Sequence, residues 1–243
     1  MPLLTEKKAI LLALTERPRT VRKLTIEKGY ERLSEEIIKE AKKEGISFKV
    51  LPKEVFSKQM RGEKCHVCLE TDEFSYTDQD LFIKELGSVA NPLLCAFDGI
   101  YDPQNLGNIL RTSACFEGNG LIMPKENSCG VTEAAARVAS GALSFAKIVR
   151  VTNLARYLEE IKKTGIFCWG LDEGGSVPIW DADLTGSVCL VFGRESGLRR
   201  LTREKCDGIL RIPTAGKFSS LNLATSVAAS FYEVRRQRAR ASR

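Results

Sequence analysis

Apolar and polar residues change rhythm along this chain. The N-terminal stretch reads as a small α/β module. A helix is predicted over about Thr5 to Thr15. A second runs from Ser34 as N-cap, through Glu35 and Glu36 in the favoured acidic first turn, to Gly45. Ile46-Ser47-Phe48-Lys49-Val50 then alternates as a half-buried strand does. Residues 71–91 read as a linker with a short helical piece near Gln79–Leu86. From Leu93 onward, apolar runs at 93–98, 120–123, 147–151, 166–171, 187–192 and 208–212 alternate with helical stretches at about 105–116, 132–141, 153–164 and 219–238. That alternation predicts an α/β fold with a mostly parallel sheet covered on both faces. The expected domains are residues 1–70, a linker 71–91, and a body over 92–243.

Length and composition fit this picture: 243 residues with 43% hydrophobic and 28% charged side chains exclude a disordered, collagen-like or coiled-coil chain. The apolar run Ala9–Leu14 is too short for a bilayer, and no cleavage signal follows it. The expectation is a soluble, cytoplasmic protein with no membrane partner. The net charge of +6 is unevenly spread. Residues 1–70 carry +5, residues 71–234 carry −4, and the tail from Arg235 to Arg243 carries five arginines and no acid. A mildly acidic body between two basic ends suits a catalytic domain with separate polyanion contacts. A solvated helix end rich in Arg explains the tail equally well.

Of the eight cysteines, only Cys65-His66-Val67-Cys68 has ligand spacing. A single CxxC with no second pair is read as structural, and no metal is expected.

In an open parallel sheet, ligands bind beyond the C-terminal strand ends, so the loops there carry the candidate chemistry. Neither GxGxxG nor GxxxxGKS/T occurs after the first strand of the body, which argues against the common dinucleotide and P-loop sites. The loop after the first strand contains Asn105-Leu106-Gly107 and Arg111, with Asn105 as a helix cap and Gly107 and Arg111 on one face. An Arg near helix N-terminal amides makes a place for an anion, or is simply a surface residue. The second loop, Gly193-Arg194-Glu195-Ser196-Gly197-Leu198, places two glycines around a polar centre, which permits close backbone approach to a flat ligand. The third runs from Ile212-Pro213 to Ser219-Ser220-Leu221-Asn222. It opens a long helix with an apolar stripe at Leu221, Ala224, Val227, Ala228 and Phe231, capped by Ser219 or Ser220.

Taken in order, Asn105-x-Gly107-x-x-x-Arg111, Gly193-x-Glu195-x-x-Gly197-Leu198 and Ile212-Pro213 with Ser220-Leu221-Asn222 resemble the three motifs of the SpoU (TrmH) family of RNA ribose 2'-O-methyltransferases, within the SPOUT class. Ala139-Ser140-Gly141-Ala142 is similar to a segment these enzymes carry between the first two motifs. The resemblance covers roughly residues 91–238, and the basic N-terminal module resembles the family's RNA substrate-binding domain.

The resemblance implies a SPOUT-like body with a C-terminal trefoil knot, a homodimer, and S-adenosylmethionine as cofactor. It implies an RNA partner, ribosomal RNA ahead of transfer RNA. By the same resemblance Leu171, Gly193, Gly197, Ile212 and Leu221 would hold the adenosyl group. Arg111 would act as base or as phosphate clamp, with Asn105, Glu195, Ser220 and Asn222 orienting it, the ribose and the methyl donor. Thr214 and Leu223-Ala224 depart from common family residues, which bears on substrate preference. The competing expectations are a tRNA 2'-O-methyltransferase, a base N-methyltransferase of the same class, and a non-catalytic RNA-binding or ribosome-assembly protein.

Overall fold

The computed structural model describes residues 3–16, 18–60, 65–72, 74–194, 196–216 and 220–242. The chain divides into two compact units, one of Met1–Ser75 with Ser140–Ser144 and one of Tyr76–Ala139 with Phe145–Arg243.

The first unit runs β1 (Leu3–Leu4), α1 (Lys7–Glu16), β2 (Val21–Glu27), α2 (Glu35–Lys43), β3 (Phe48–Leu51), α3 (Lys53–Gln59) and β4 (Val67–Thr71). Its sheet order is β1-β4-β2-β3, with only the β2–β3 pair parallel. Gly45 ends α2 in the left-handed conformation at φ +70. There the Ile46 N–H reaches the Ala41 carbonyl at 2.7 Å and the Gly45 N–H the Lys42 carbonyl at 3.2 Å, the paired bonds that close a helix over a glycine. Ser34 occupies the N-cap, but its hydroxyl makes no cap bond.

The expected strand lies slightly later than 46–50, at Phe48–Leu51, because Ile46 is still engaged in ending the helix. Cys68 is buried with Phe56 and Met60, and Leu51 and Cys65 pack on them, so the CxxC pair lines a small core. The Nδ1 of His66 lies 2.7 Å from the buried Glu27 carboxylate, and its ring stacks on Tyr30.

The second unit runs α4 (Gln79–Leu86), β5 (Leu93–Phe97), α5 (Pro103–Cys115), β6 (Gly120–Pro124), α6 (Glu133–Ala139), β7 (Ile148–Val151), α7 (Leu154–Lys162), β8 (Phe167–Leu171), β9 (Val177–Pro178), β10 (Val188–Phe192), α8 (Arg200–Lys205), β11 (Gly208–Arg211) and α9 (Leu223–Ala241). The seven strands form one parallel sheet in the order β7-β6-β5-β10-β8-β11-β9. Every residue of β5, β6 and β10 is buried, which is why these strands read as continuous apolar runs.

The stretch expected as linker holds α4, whose Phe82 and Leu86 are buried against Leu94, Ile122, Val149 and α7 residues such as Leu158. The helical piece expected at Gln79–Leu86 is thus present as α4, and it packs into the core of the second unit. On α5, Gly107 permits close approach to α6: a Cβ there would meet Val138 Cβ at 2.6 Å and the Ala135 carbonyl at 2.7 Å.

Helix α9 buries Ala224, Val227, Ser230, Phe231 and Val234, close to the expected stripe, but Leu221 precedes the helix and is exposed. Its C-terminal arginines continue the helix: Arg235 pairs with Glu117, Arg236 with Glu233, and Arg238 donates to the Gly186 carbonyl. This supports the helix-end reading of the basic tail. Among the described residues, no helix is long and apolar enough to cross a membrane.

Candidate active site

The strand order reverses direction beside β5. From β5 the chain steps through α5 to β6 on one side, and from β10 through α8 to β11 on the other. Such a point leaves a crevice at the C-terminal strand ends. The loops leaving the neighbouring strands β5, β10, β8 and β11 surround a cleft of about 690 Å³. It is lined by Gly99, Tyr101, Asp102 and Asn105 after β5, by Leu171, Asp172 and Glu173 after β8, and by Phe192, Gly193, Arg194, Ser196 and Gly197 after β10. Ile212, Leu221, Asn222, Leu223 and Ser226 follow β11.

Seven of the expected site residues therefore share one cleft: Asn105, Leu171, Gly193, Gly197, Ile212, Leu221 and Asn222. The side chains of the first and third motifs touch, since Asn222 Nδ2 donates to Asn105 Oδ1 at 3.0 Å across 117 positions of chain. Arg111, six residues beyond Asn105 on α5, is exposed and stands outside this lining set, whereas Gly107, expected on the same face, is buried against α6. Ser220 is exposed three residues before α9 and does not line the cleft. Glu195 and Ser219 lie outside the described residues.

Two capping expectations change. Asp102, with Pro103 at the first helical position, caps α5 by accepting from the Gln104 N–H at 2.8 Å. Asn105 is thereby left free of capping, in the first turn, to face the cleft. Asn222 caps α9, with its Oδ1 accepting from Ala224 and Thr225. Its amide therefore fills two roles, the oxygen ending a helix and the nitrogen reaching Asn105.

The turn after β10 is closed at both ends: the Arg194 N–H donates to the Gly197 carbonyl at 3.1 Å, and the Gly197 N–H to the Arg194 carbonyl at 2.9 Å. Gly197 sits at φ +86, a conformation that favours glycine. A Cβ on Gly193 would fall 2.5 Å from the Leu198 nitrogen and 2.6 Å from the Gly197 carbonyl oxygen. Bare backbone thus faces the cleft, flanked by the apolar Leu171, Phe192, Ile212 and Leu221. Apolar walls with exposed backbone donors and acceptors fit a flat heteroaromatic group such as adenine.

Two acids missing from the sequence reading hold the loops in place. Asp98, immediately after β5 and buried, accepts from the Arg199 N–H at 2.7 Å and from Thr202 Oγ1 at 2.5 Å, tying the first loop to the start of α8. Burial pushes its pKa up, opposed by the Thr202 bond and by the nearby Arg194 charge. Asp172 accepts from the Gly174 N–H at 3.0 Å and the Leu198 N–H at 3.3 Å and pairs with Arg203 at 3.2 Å. Burial pushes its carboxyl up, but those donors together hold it below the ordinary value of 3.8.

With a folded pKa below its unfolded one, Asp172 contributes stability above the unfolded value and loses it as pH falls through the folded value. In thermal unfolding against pH, wild type is expected to be more stable than Asp172→Asn at neutral pH. The gap should close as pH falls below 3.8. A gap independent of pH would show that the charge does not hold the loops.

The fold is shared with solved SpoU methyltransferases. The AviRb enzyme of Streptomyces viridochromogenes, solved in complex with AdoMet, superimposes with a TM-score of 0.76 over 98% of this chain and 90% of that chain at 24% identity. The AdoMet-bound rRNA methyltransferase of Sinorhizobium meliloti does so at 0.71 over 96% and 86%, at 21% identity. Residues 92–232 match the SpoU rRNA Methylase family, and residues 7–77 match the RNA 2'-O ribose methyltransferase substrate binding domain. The 23S rRNA (guanosine-2'-O-)-methyltransferase RlmB of Pasteurella multocida is 35% identical over 208 residues, covering 83% of this chain and 84% of that protein. Its namesake from Coxiella burnetii is 33% identical over 204 residues, covering 83% and 82%. The chain belongs to the SpoU rRNA methylase family.

Proposed function

We propose that this protein transfers a methyl group from S-adenosylmethionine to a ribose 2'-hydroxyl of ribosomal RNA. The hydrogen bond that joins Asn105 to Asn222 inside the cleft carries this reading, because it unites two of the three motifs at the C-terminal sheet edge. The RlmB relatives, named for 23S rRNA guanosine 2'-O-methylation and matched over most of both chains, support the choice of RNA.

When bound, S-adenosylmethionine supplies a methyl group already activated by a positively charged sulfur. The chain's own residues then have two tasks. The backbone at Gly193 and Gly197, with Leu171, Ile212 and Leu221, binds the adenosyl group and excludes water from it. The polar set must hold a weakly nucleophilic hydroxyl in line and help its proton leave. Asn105 and Asn222 orient the sugar and the donor, joined in this by Glu195. Arg111, exposed on α5, holds the phosphate of the target nucleotide. An arginine stays protonated in ordinary surroundings, so positioning outweighs proton acceptance for this side chain.

The N-terminal unit binds the RNA substrate, a reading supported by its match to the substrate-binding domain and its excess of basic residues. The enzyme works in the cytoplasm as a homodimer with a knotted C-terminal segment. The relatives named as rRNA methyltransferases support the cytoplasm, and family membership supports the dimer and knot.

Transfer of tritium from labelled S-adenosylmethionine to ribosomal RNA, with the product mapped by nuclease digestion and mass spectrometry, tests the function. A methylated ribose is expected. A methylated base, or no transfer at all, would overturn it. A chain lacking residues up to Ser75 is expected to bind S-adenosylmethionine as wild type does and ribosomal RNA much more weakly. Equal RNA affinity would remove the N-terminal unit from the account.

A further inference from the structure

We propose that Arg194, stacked over Tyr101 in the cleft, binds the α-carboxylate of the methyl donor; the proposal rests on the reading that the chain uses S-adenosylmethionine. Among the described residues lining the cleft, the acids are Asp102, Asp172 and Glu173, and Arg194 is the one cation. The methyl donor carries a sulfonium, an ammonium and a single carboxylate. Three acids against one cation suit the first two, and the single guanidinium suits the third.

The side chain is set in place before any ligand arrives. It crosses from the loop after β10 to the loop after β5, where Nη2 lies 3.5 Å from the Asp98 carbonyl oxygen and Cζ stands 5.2 Å from the centre of the Tyr101 ring. Gly99 makes room for it: a Cβ there would stand 3.2 Å from Arg194 Nε. That Nε is buried and has no hydrogen-bond partner among the described residues, and Arg194 forms no ion pair among them. The nearby carboxylates are already engaged, Asp98 by Arg199 and Thr202, and Asp172 by Gly174, Leu198 and Arg203. A guanidinium held by a ring face, one long bond to a carbonyl and the field of the already engaged Asp98 carboxylate has hydrogen-bond capacity left for an anion.

The position favours the donor over an RNA phosphate. Arg194 opens the same closed turn whose glycines form the bare wall of the cleft, and its guanidinium lies against Asp98 and Gly99 at the strand ends. A phosphodiester backbone passes over the outer rim of such a cleft rather than to the strand ends inside it.

Calorimetric binding of S-adenosylmethionine and of decarboxylated S-adenosylmethionine to wild type and to Arg194→Ala tests the proposal. Wild type should prefer the carboxylated form by about 10- to 100-fold, the range of a charge-assisted bond. Arg194→Ala should lose that preference while binding the decarboxylated form as wild type does, which also shows that the variant is folded. A variant that keeps the preference overturns the proposal. So does one whose cofactor affinity is unchanged while its KM for RNA rises, since the guanidinium would then belong to the RNA. A wild-type chain that binds neither form would sink the functional reading itself, a distinct result.

Discussion

Gly193→Ala is expected to weaken binding of S-adenosylmethionine on the order of 100-fold. The added carbon would sit 2.5 Å from the Leu198 nitrogen and 2.6 Å from the Gly197 oxygen. Both are main-chain atoms of a turn fixed by two hydrogen bonds, so no side chain can rotate aside. The whole turn must move, and a displacement of about 1 Å in a positioning element costs on the order of 100-fold. Overpacking of this kind also costs roughly 1–3 kcal/mol of stability, so the melting midpoint should fall by several degrees without loss of the fold. Calorimetry with S-adenosylmethionine, beside a melting curve, reads both effects. Cofactor affinity equal to wild type would show that this turn is not part of the binding wall.

The second large effect is expected at Arg111. Arg111→Ala should lower methyl transfer by about 10²- to 10⁴-fold, the range seen when a positioned charge or proton-transfer group is removed. Binding of S-adenosylmethionine should not change, because Arg111 stands outside the cleft lining. Arg111→Lys separates the two roles. Partial rescue with an unaltered pH profile points to phosphate positioning, whereas a profile that shifts with the lysine points to proton acceptance. Near wild-type turnover in Arg111→Ala would exclude the residue from the reaction.

The sequence disclosed the body better than the N-terminal unit, for a physical reason. Strands β5, β6 and β10 are enclosed on both faces and so are written as unbroken apolar runs. Strand β2 is central in its sheet, yet Arg22 and Lys23 interrupt its pattern before the buried Leu24–Glu27, and it went unread. Helix α8 is nearly all polar, Arg200-Leu201-Thr202-Arg203-Glu204-Lys205, and no apolar stripe marks it. It is tied down by the buried Asp98, which no local window connects to it.

The site divides the same way. Asn105, Gly193, Gly197 and Asn222 carry recognisable spacing and meet in one cleft. Asp98, Tyr101, Asp172 and Arg194 owe their importance to contacts between distant loops. One signal did exist: an aspartate directly after a wholly apolar strand marks a charge placed at the C-terminal edge of the sheet.

The amide of Asn222 has a consequence for which residues this position can accept. Serine, threonine and aspartate start helices about as well as asparagine does. Aspartate has no donor for Asn105, and a serine or threonine hydroxyl would have to accept from Ala224 and Thr225 and donate to Asn105 from one atom a bond nearer the backbone, where the amide here uses its two separate ends. Asn222→Asp should therefore leave α9 intact and yet set a carboxylate against the Asn105 side-chain oxygen, so tolerance at this residue is limited by hydrogen-bond polarity and reach rather than by helix propensity.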